Sequence, residues 1–292
     1  MIQDVRLQIR EFAAPVAQKL GIGKISDFAD VILLSFVFFT TVHNSLSPAV
    51  SSALFPVSYG KAGKRARNNW DIRVASLVHA ILIVFLAGRC LNLPSLDQNR
   101  AFGWHEDAGF LIAIATGYFI WDTLESIIHF SDIGFVFHGM CLMCFFTNLL
   151  PTPASGISCL LIYSLSFTPF VPYYAVRFLF WELSTVFLNI HWFLDKTGKT
   201  GSALQFVNGI VLIMTFFCVR CIWGAMMSYD FFMTLDSVYD QILTPYLIIY
   251  GGGNVLLQGL NWYWFTKMIA ALVKRFQGKP NGHKVINGKT KT

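Results

Sequence analysis

Seven long apolar runs, separated by short polar stretches, dominate the hydrophobic pattern of this chain. Each approaches the roughly 20 residues that an α-helix needs to cross a bilayer. They cover 28–55, 70–93, 107–130, 133–150, a run that follows the loop 151–156 and ends near Phe170, 203–227, and 242–273. A segment in lipid must satisfy its own backbone hydrogen bonds, so the pattern predicts an all-α, polytopic membrane bundle of about seven helices. Pro48 inside the first run predicts a kink, and Gly251, Gly252 and Gly253 interrupt the last. The stretch 173–194, between Pro172 and the next polar loop, reads either as an interfacial helix or as an eighth crossing. The organisation expected is an amino-terminal amphipathic segment (1–27), a first transmembrane helix (28–55), a six-helix membrane domain (65–275) and a basic, flexible cytosolic tail (276–292).

Composition agrees with this pattern. Of the 292 residues, 55% are hydrophobic and only 13% charged, too few charges to cover a soluble surface of this size. Residues 1–24 mix charges with Leu and Ile and have no uninterrupted apolar core, so insertion is expected to rest on the first span rather than on a secretory signal.

The net charge of +6 is clustered in the loop 61–67 and in the segment from Lys267 to Lys291. Both clusters flank apolar spans, which points to the positive-inside rule and a cytosolic location rather than to nucleic-acid binding. Contact with anionic lipid fits the same clusters. An even number of crossings then separates the two, as spans two to seven supply if 173–194 does not cross. The loop 229–240, with Asp230, Asp236 and Asp240, would face the lumen.

Candidate chemistry sits on the polar residues inside the spans, where ionisable groups are costly and usually line a cavity. At about 100° per residue, Tyr118, Asp122, Glu125 and His129 share one stripe of the third span. His138 lies in the fourth span beside Gly139; a carboxylate–imidazole pair there would make the imidazole a general base or a nucleophile for acyl transfer. Glu182, Thr185 and Asn189 share a face of 173–194, with His191 and Asp195 four residues apart. Tyr250, Asn254, Gln258 and Asn261 line one face of the last span, a pattern that serves interhelical hydrogen bonds or the wall of a polar tunnel. The pairs Cys141/Cys144 and Cys218/Cys221 lie within apolar runs and read as packing residues, so no metal site and no disulfide is expected.

Several classes are set aside. The seven His form none of the closely spaced boxes of membrane di-iron enzymes and have no diagnostic haem spacing. The receptor signatures Asp-Arg-Tyr and Asn-Pro-x-x-Tyr are missing. The absence of repeated, broken half-helices argues against a secondary transporter.

The run Gly117–Asp122 with His129-Phe130 and Phe137-His138, and the later run Trp181–Lys196, resemble the TLC-domain family, across about residues 65 to 275. That family includes ceramide synthases, translocating-chain-associating proteins and a neuronal-ceroid-lipofuscinosis protein; the motifs are similar to those of its small TLC-domain-containing branch. The resemblance implies six core helices around a polar-lined cavity, an extra amino-terminal span, residence in the endoplasmic reticulum and a role in lipid handling. Ceramide synthases carry a His-His pair where this chain has His138-Gly139, and a downstream His-Asp-x-x-Asp motif where it has Glu182 and Asn189. Ceramide synthesis proper is therefore not implied.

Two functions follow. In the first, an acyltransferase-like enzyme uses His138, oriented by Asp122 or Glu125 and with Glu182 near the mouth, on an acyl lipid with acyl-CoA as co-substrate and no bound cofactor. Tyr118, His129, Thr185, Asn189, Asn254, Gln258 and Asn261 would contact substrate. In the alternative, the same cavity belongs to a non-catalytic lipid-binding, lipid-transport or cargo-escort protein. Membrane lipids are the expected partners, with a homodimer through small-residue faces such as 251–253. The terminal lysines at Lys289 and Lys291 miss the register of a dilysine retrieval signal.

Overall fold

The computed structural model describes residues 2–19, 23–128 and 170–276. His129, His138, the spans 133–150 and 156–169, the Cys141/Cys144 pair and the tail beyond 276 lie outside them. The described residues are helical, with no strand among them. Helix α1 (Ile2–Lys19) precedes α2 (Lys24–Leu54), α3 (Lys64–Arg89) and α4 (Glu106–Ile128). Then come α5 (Pro172–Phe178), α6 (Glu182–Lys196), α7 (Ala203–Ser237) and α8 (Thr244–Phe276). Four of these, α2, α3, α4 and α7, are long and apolar enough to cross a membrane, so the chain is a helical membrane protein.

The kink expected at Pro48 takes the form of a π-turn. Residues Val42–Leu46 are π-helical and the Ser47 N–H donates to the Val42 carbonyl, five residues back. Proline has no N–H and its ring crowds the carbonyl four residues earlier; widening the preceding turn lets α2 continue past it. The glycine triplet behaves differently from expectation. Helix α8 runs unbroken through Gly251, Gly252 and Gly253, because glycine removes side-chain packing without preventing the helical hydrogen bonds. A Cβ placed on Gly251 would lie 3.4 Å from the Phe232 ring, whereas one on Gly252 would meet nothing within 4 Å.

The helices are tied by buried polar groups, with α3 antiparallel to α2 and α4 parallel to α2. At the end of the bundle that carries Lys64 and Lys267 (the basic end), Asp71 accepts from Ser47 Oγ at 2.6 Å and Tyr59 OH at 2.9 Å, joining α2 to α3. Trp70 Nε1 donates to Ser51 Oγ at 3.0 Å beside them. In mid-bundle Ser35 Oγ donates to the Ile114 carbonyl at 2.7 Å, and a side chain on Gly117 would collide with the Ile32 carbonyl, so α2 and α4 meet backbone to backbone. At the start of α2 the fully buried Asp30 takes Arg6 at 2.5 Å and Arg10 at 2.7 Å, clamping α1 across that end.

The ambiguous stretch traverses the bundle. At one end the Val171 N–H donates to the Ala101 carbonyl at 2.6 Å, and Arg177 reaches the Leu91 carbonyl at 2.8 Å and Asp97 at 3.0 Å. At the other end Trp192 packs on Trp70 with ring centroids 5.8 Å apart. Helices α5 and α6, joined only by the 3-10 turn Leu179–Trp181, span about 37 Å at the helical rise of ~1.5 Å per residue. Of the two readings of 173–194, its course along the full length of α3 supports the crossing. Its polar face is turned toward the inside of the bundle instead of toward headgroups.

Two measurements check this architecture. In a cysteine-free background, a cysteine at Lys199 is expected to be labelled from the same side of the membrane as one at Lys61, and one at Gln98 from the other side; labelling of positions 199 and 98 from one side would refute the crossing. The second concerns Tyr59, in the loop between α2 and α3, whose phenol is pushed up to about 12 by burial and by the Asp71 carboxylate. A folded-state value above the unfolded value of 10.0 stabilises the fold fully below pH 10, and that contribution fades as pH rises toward 12. Stability of the wild type is therefore expected to fall more steeply above pH 10 than that of Tyr59→Phe.

Candidate functional site

A cavity of about 1760 Å³ opens at the basic end and reaches the middle of the bundle between α3, α4, α6, α7 and α8. Its mouth carries Lys64, Arg65 and Lys267; its inner part carries Tyr118, Asp122, Trp181, Glu182 and Arg220. From Lys64 to Ser76, both on the wall, α3 descends about 18 Å at ~1.5 Å per residue. Small-molecule pockets typically hold roughly 300–1,000 Å³, so this space suits something larger. Apolar side chains such as Phe119, Leu188, Leu212 and Phe216 separate the polar groups.

The stripe on α4 faces this space as its spacing predicts, but its members do different things. Tyr118 stacks on His79, with rings 3.6 Å apart and 8° from parallel. Glu125 accepts from Asn68 Nδ2 at 2.9 Å, and Asn68 Oδ1 in turn takes His43 Nε2 at 3.1 Å, which itself lies 3.7 Å from Glu125. That histidine comes from the π-turn of α2. Asp122 lines the cavity and makes no hydrogen bond or ion pair with another described residue; Glu182, Glu125 and Arg73 are its charged neighbours.

The opposite wall is organised by Arg220. It stands half-way along α7 inside the π-turn Phe217–Ile222, where the Trp223 N–H reaches back five residues to the Cys218 carbonyl. Its Nε donates to the Trp181 carbonyl at 3.1 Å and to Ser184 Oγ at 2.9 Å, and its Nη2 to Thr185 Oγ1 at 3.2 Å. Glu182 lies 3.7 Å from the same Nη2, and Nη1 reaches Asn261 Oδ1 on α8 at 3.4 Å. The sequence run 181–185 is thus a cradle for one guanidinium. The 3-10 turn that ends at Trp181 brings these acceptors together at the α5–α6 junction.

Of the residues expected from sequence, Tyr118, Asp122, Glu125, Glu182, Thr185 and Asn261 line the cavity. Asn189 does not; fully buried, it accepts from Arg73 Nη1 at 3.2 Å and donates to Ser76 Oγ at 3.0 Å, holding α6 on α3. Gln258 donates to the Arg220 carbonyl at 3.1 Å and Asn254 is buried; neither is part of the wall. His129 and His138 lie outside the described residues. Cys218 is exposed and Cys221 buried, and no group of His, Cys, Asp or Glu among the described residues is arranged to hold a metal ion.

Sequence reasoning missed Arg220, Arg73, His43 and Asn68. The signal for the arginines was present, since each is an ionisable group within an apolar run, the same criterion that singled out the third span. His43 carries the same signal, an ionisable group inside the run 28–55, whereas Asn68 lies outside the apolar runs and matters only through the approach of α2 to α3 and α4.

Removing one partner of a buried ion pair typically costs about 3–5 kcal/mol, because the other charge is left uncompensated. Arg220→Met is expected to lower stability in detergent by about 3 kcal/mol, and Arg220→Met combined with Glu182→Gln by less than the sum of the two single changes. Additive losses in thermal unfolding would show that the two residues are not coupled.

Comparison with known proteins matches the TLC domain to residues 69–152 and 155–270. An uncharacterized TLC domain-containing protein of Schizosaccharomyces pombe is 36% identical over 94% of this chain and 88% of its own length. TLC domain-containing protein 4-B of Danio rerio is 28% identical over 89% and 94%, and Topoisomerase I damage affected protein 4 of Saccharomyces cerevisiae 26% over 85% and 86%. No solved structure matches. With the domain covering the helices that enclose the cavity, and a TLC domain-containing relative 36% identical over 94% of its length, the chain belongs to the TLC domain family.

Proposed function

We propose that this protein handles membrane lipids by taking an acyl lipid into the cavity between α3, α4, α6, α7 and α8. The observation that carries the proposal is the cavity itself: large, half-way into the bundle, apolar between its polar groups, and ringed at its mouth by Lys64, Arg65 and Lys267. Acyl chains pack on the apolar wall, and the phosphates of a headgroup or of acyl-CoA meet the basic mouth. Proteins of the TLC family are linked to lipid metabolism or its regulation, which supports the same reading. The basic end then faces the cytosol, where acyl-CoA is found, with the carboxy-terminal tail on that side and the protein in the endoplasmic-reticulum membrane.

Acyl transfer is the reaction this reading favours. The His138 imidazole attacks the thioester carbonyl, the carbon–sulfur bond breaks, and the acyl group rests on nitrogen while the thiolate leaves with the imidazole proton. A lipid hydroxyl or amine then takes the acyl group and returns its proton to the histidine. Asp122, the cavity carboxylate without a hydrogen bond among the described residues, orients the acceptor by accepting a hydrogen bond from its hydroxyl or amine. A carrier without catalysis is the second reading. It is favoured by the engagement of Glu125 with Asn68 and of Glu182 with Arg220, which leaves little acid–base capacity in the described wall.

Native mass spectrometry of the purified protein, before and after incubation with labelled acyl-CoA, separates these. A covalent acyl adduct that disappears in His138→Ala and persists in Asp122→Asn, with turnover of the latter lowered on the order of 10²-fold, is the expected result. A co-purified lipid with neither adduct nor turnover would establish the carrier, and a cavity that retains no lipid would refute lipid handling.

A further inference from the structure

At the inner end of the cavity the hydrogen-bonding capacity is unevenly used. Asn261 is 1% exposed and lines the wall, and its Nδ2 has no partner among the described residues. The orientation of this amide is fixed by Arg220: only with Oδ1 toward Nη1 does the contact at 3.4 Å join a donor to an acceptor. The amino group is therefore the end left over. Thr185, also on the wall, accepts from Arg220 Nη2 at 3.2 Å, so its own hydroxyl proton is directed elsewhere. An unsatisfied buried donor costs about 1–3 kcal/mol, and here one lies against the guanidinium of Arg220 and a second donor, at the wall of a cavity.

What would complete such a site is an acceptor. An anion is disfavoured, because the charge of Arg220 is already answered by Glu182 at 3.7 Å, and a second negative charge in mid-bundle would have no counter-charge of its own. A neutral acceptor has no such cost. Resting on the acyl-lipid reading above, we infer that Asn261, Thr185 and Arg220 form a subsite for the carbonyl oxygen of an ester, thioester or amide, placed where the acyl chain of a bound lipid joins its head. The Asn261 amino group and the Thr185 hydroxyl donate to that oxygen; Arg220 holds both in position and supplies positive potential.

The subsite makes the protein selective for acyl over alkyl chains. Equilibrium binding to the detergent-purified full chain is measured with dioleoylphosphatidylcholine and with its diether analogue, which has the same head and chains but no carbonyl. One to two neutral hydrogen bonds are worth on the order of a tenfold preference for the ester. Asn261→Asp retains size and the acceptor for Arg220 but replaces the donor, and Asn261→Leu removes both; in each the preference is expected to shrink to about twofold or less. Matching size-exclusion profiles and melting curves identify folded variants. Equal binding of ester and ether by the wild type, or a preference that survives in both variants, overturns the subsite while leaving lipid binding intact. Binding of neither lipid removes the acyl-lipid reading and the subsite with it.

Discussion

One guanidinium organises the inner half of this bundle. An arginine in the middle of a membrane helix costs several kcal/mol unless its charge and its donors are met by protein. Arg220 meets that requirement with acceptors from two other helical segments: the Trp181–Thr185 turn at the junction of α5 and α6, and Asn261 on α8. Neither would suffice alone. The convergence fixes how far α6, α7 and α8 can separate, and the space left beside it is the inner end of the cavity. The π-turn in α7 belongs to the same requirement, since an extra residue in the turn changes the direction of Arg220 without breaking the helix.

The same physics recurs at both ends. Asp71 joins α2 and α3 through Ser47 and Tyr59, and Arg177 joins α5 to the segment after α3 through Leu91 and Asp97. In lipid there is no hydrophobic gain from helix association, so polar ties and close backbone approach must hold helices together. Helix α2 shows the consequence. It precedes the matched domain, which begins at residue 69, yet it contributes His43 to the Asn68–Glu125 pair at the cavity wall. It is part of the site's construction rather than an anchor appended to it.

Much of this was legible in the sequence because lipid imposes a simple rule: a long apolar run is a helix. The runs 28–55, 70–93, 107–130 and 203–227 correspond to α2, α3, α4 and α7, with ends displaced by only a turn or two except at Ser237. The stretch 173–194 defeated the rule, since a helix that lines a polar cavity has the same one-sided pattern as a helix lying at the membrane surface. Helical spacing correctly put Asn254, Gln258 and Asn261 on one face of α8, but spacing has no depth coordinate. Only Asn261 reaches the cavity, while Gln258 is spent on the Arg220 carbonyl. Arg220 escaped notice for a related reason: its partners are neutral carbonyl, hydroxyl and carboxamide oxygens and one glutamate from distant helices, which no local pattern brings together.

The distribution of charge along the cavity would also orient the lipid of the proposed function. Lys64, Arg65 and Lys267 concentrate positive charge at the mouth, whereas deeper in, Arg220 is balanced by Glu182 and Arg73 by its proximity to Asp122. A phosphate carried past the mouth would give up that attraction for an interior with no net positive charge, and would pay the desolvation of an anion as well. A neutral polar group loses nothing by going further and gains the donors of Asn261 and Thr185. The gradient would therefore sort an amphiphile by its own polarity: charged atoms at the basic end, a carbonyl at the level of Arg220, and hydrocarbon along the apolar wall between the polar groups. This ordering would place the bond between head and chain beside the Arg220 cradle, where the proposed subsite lies.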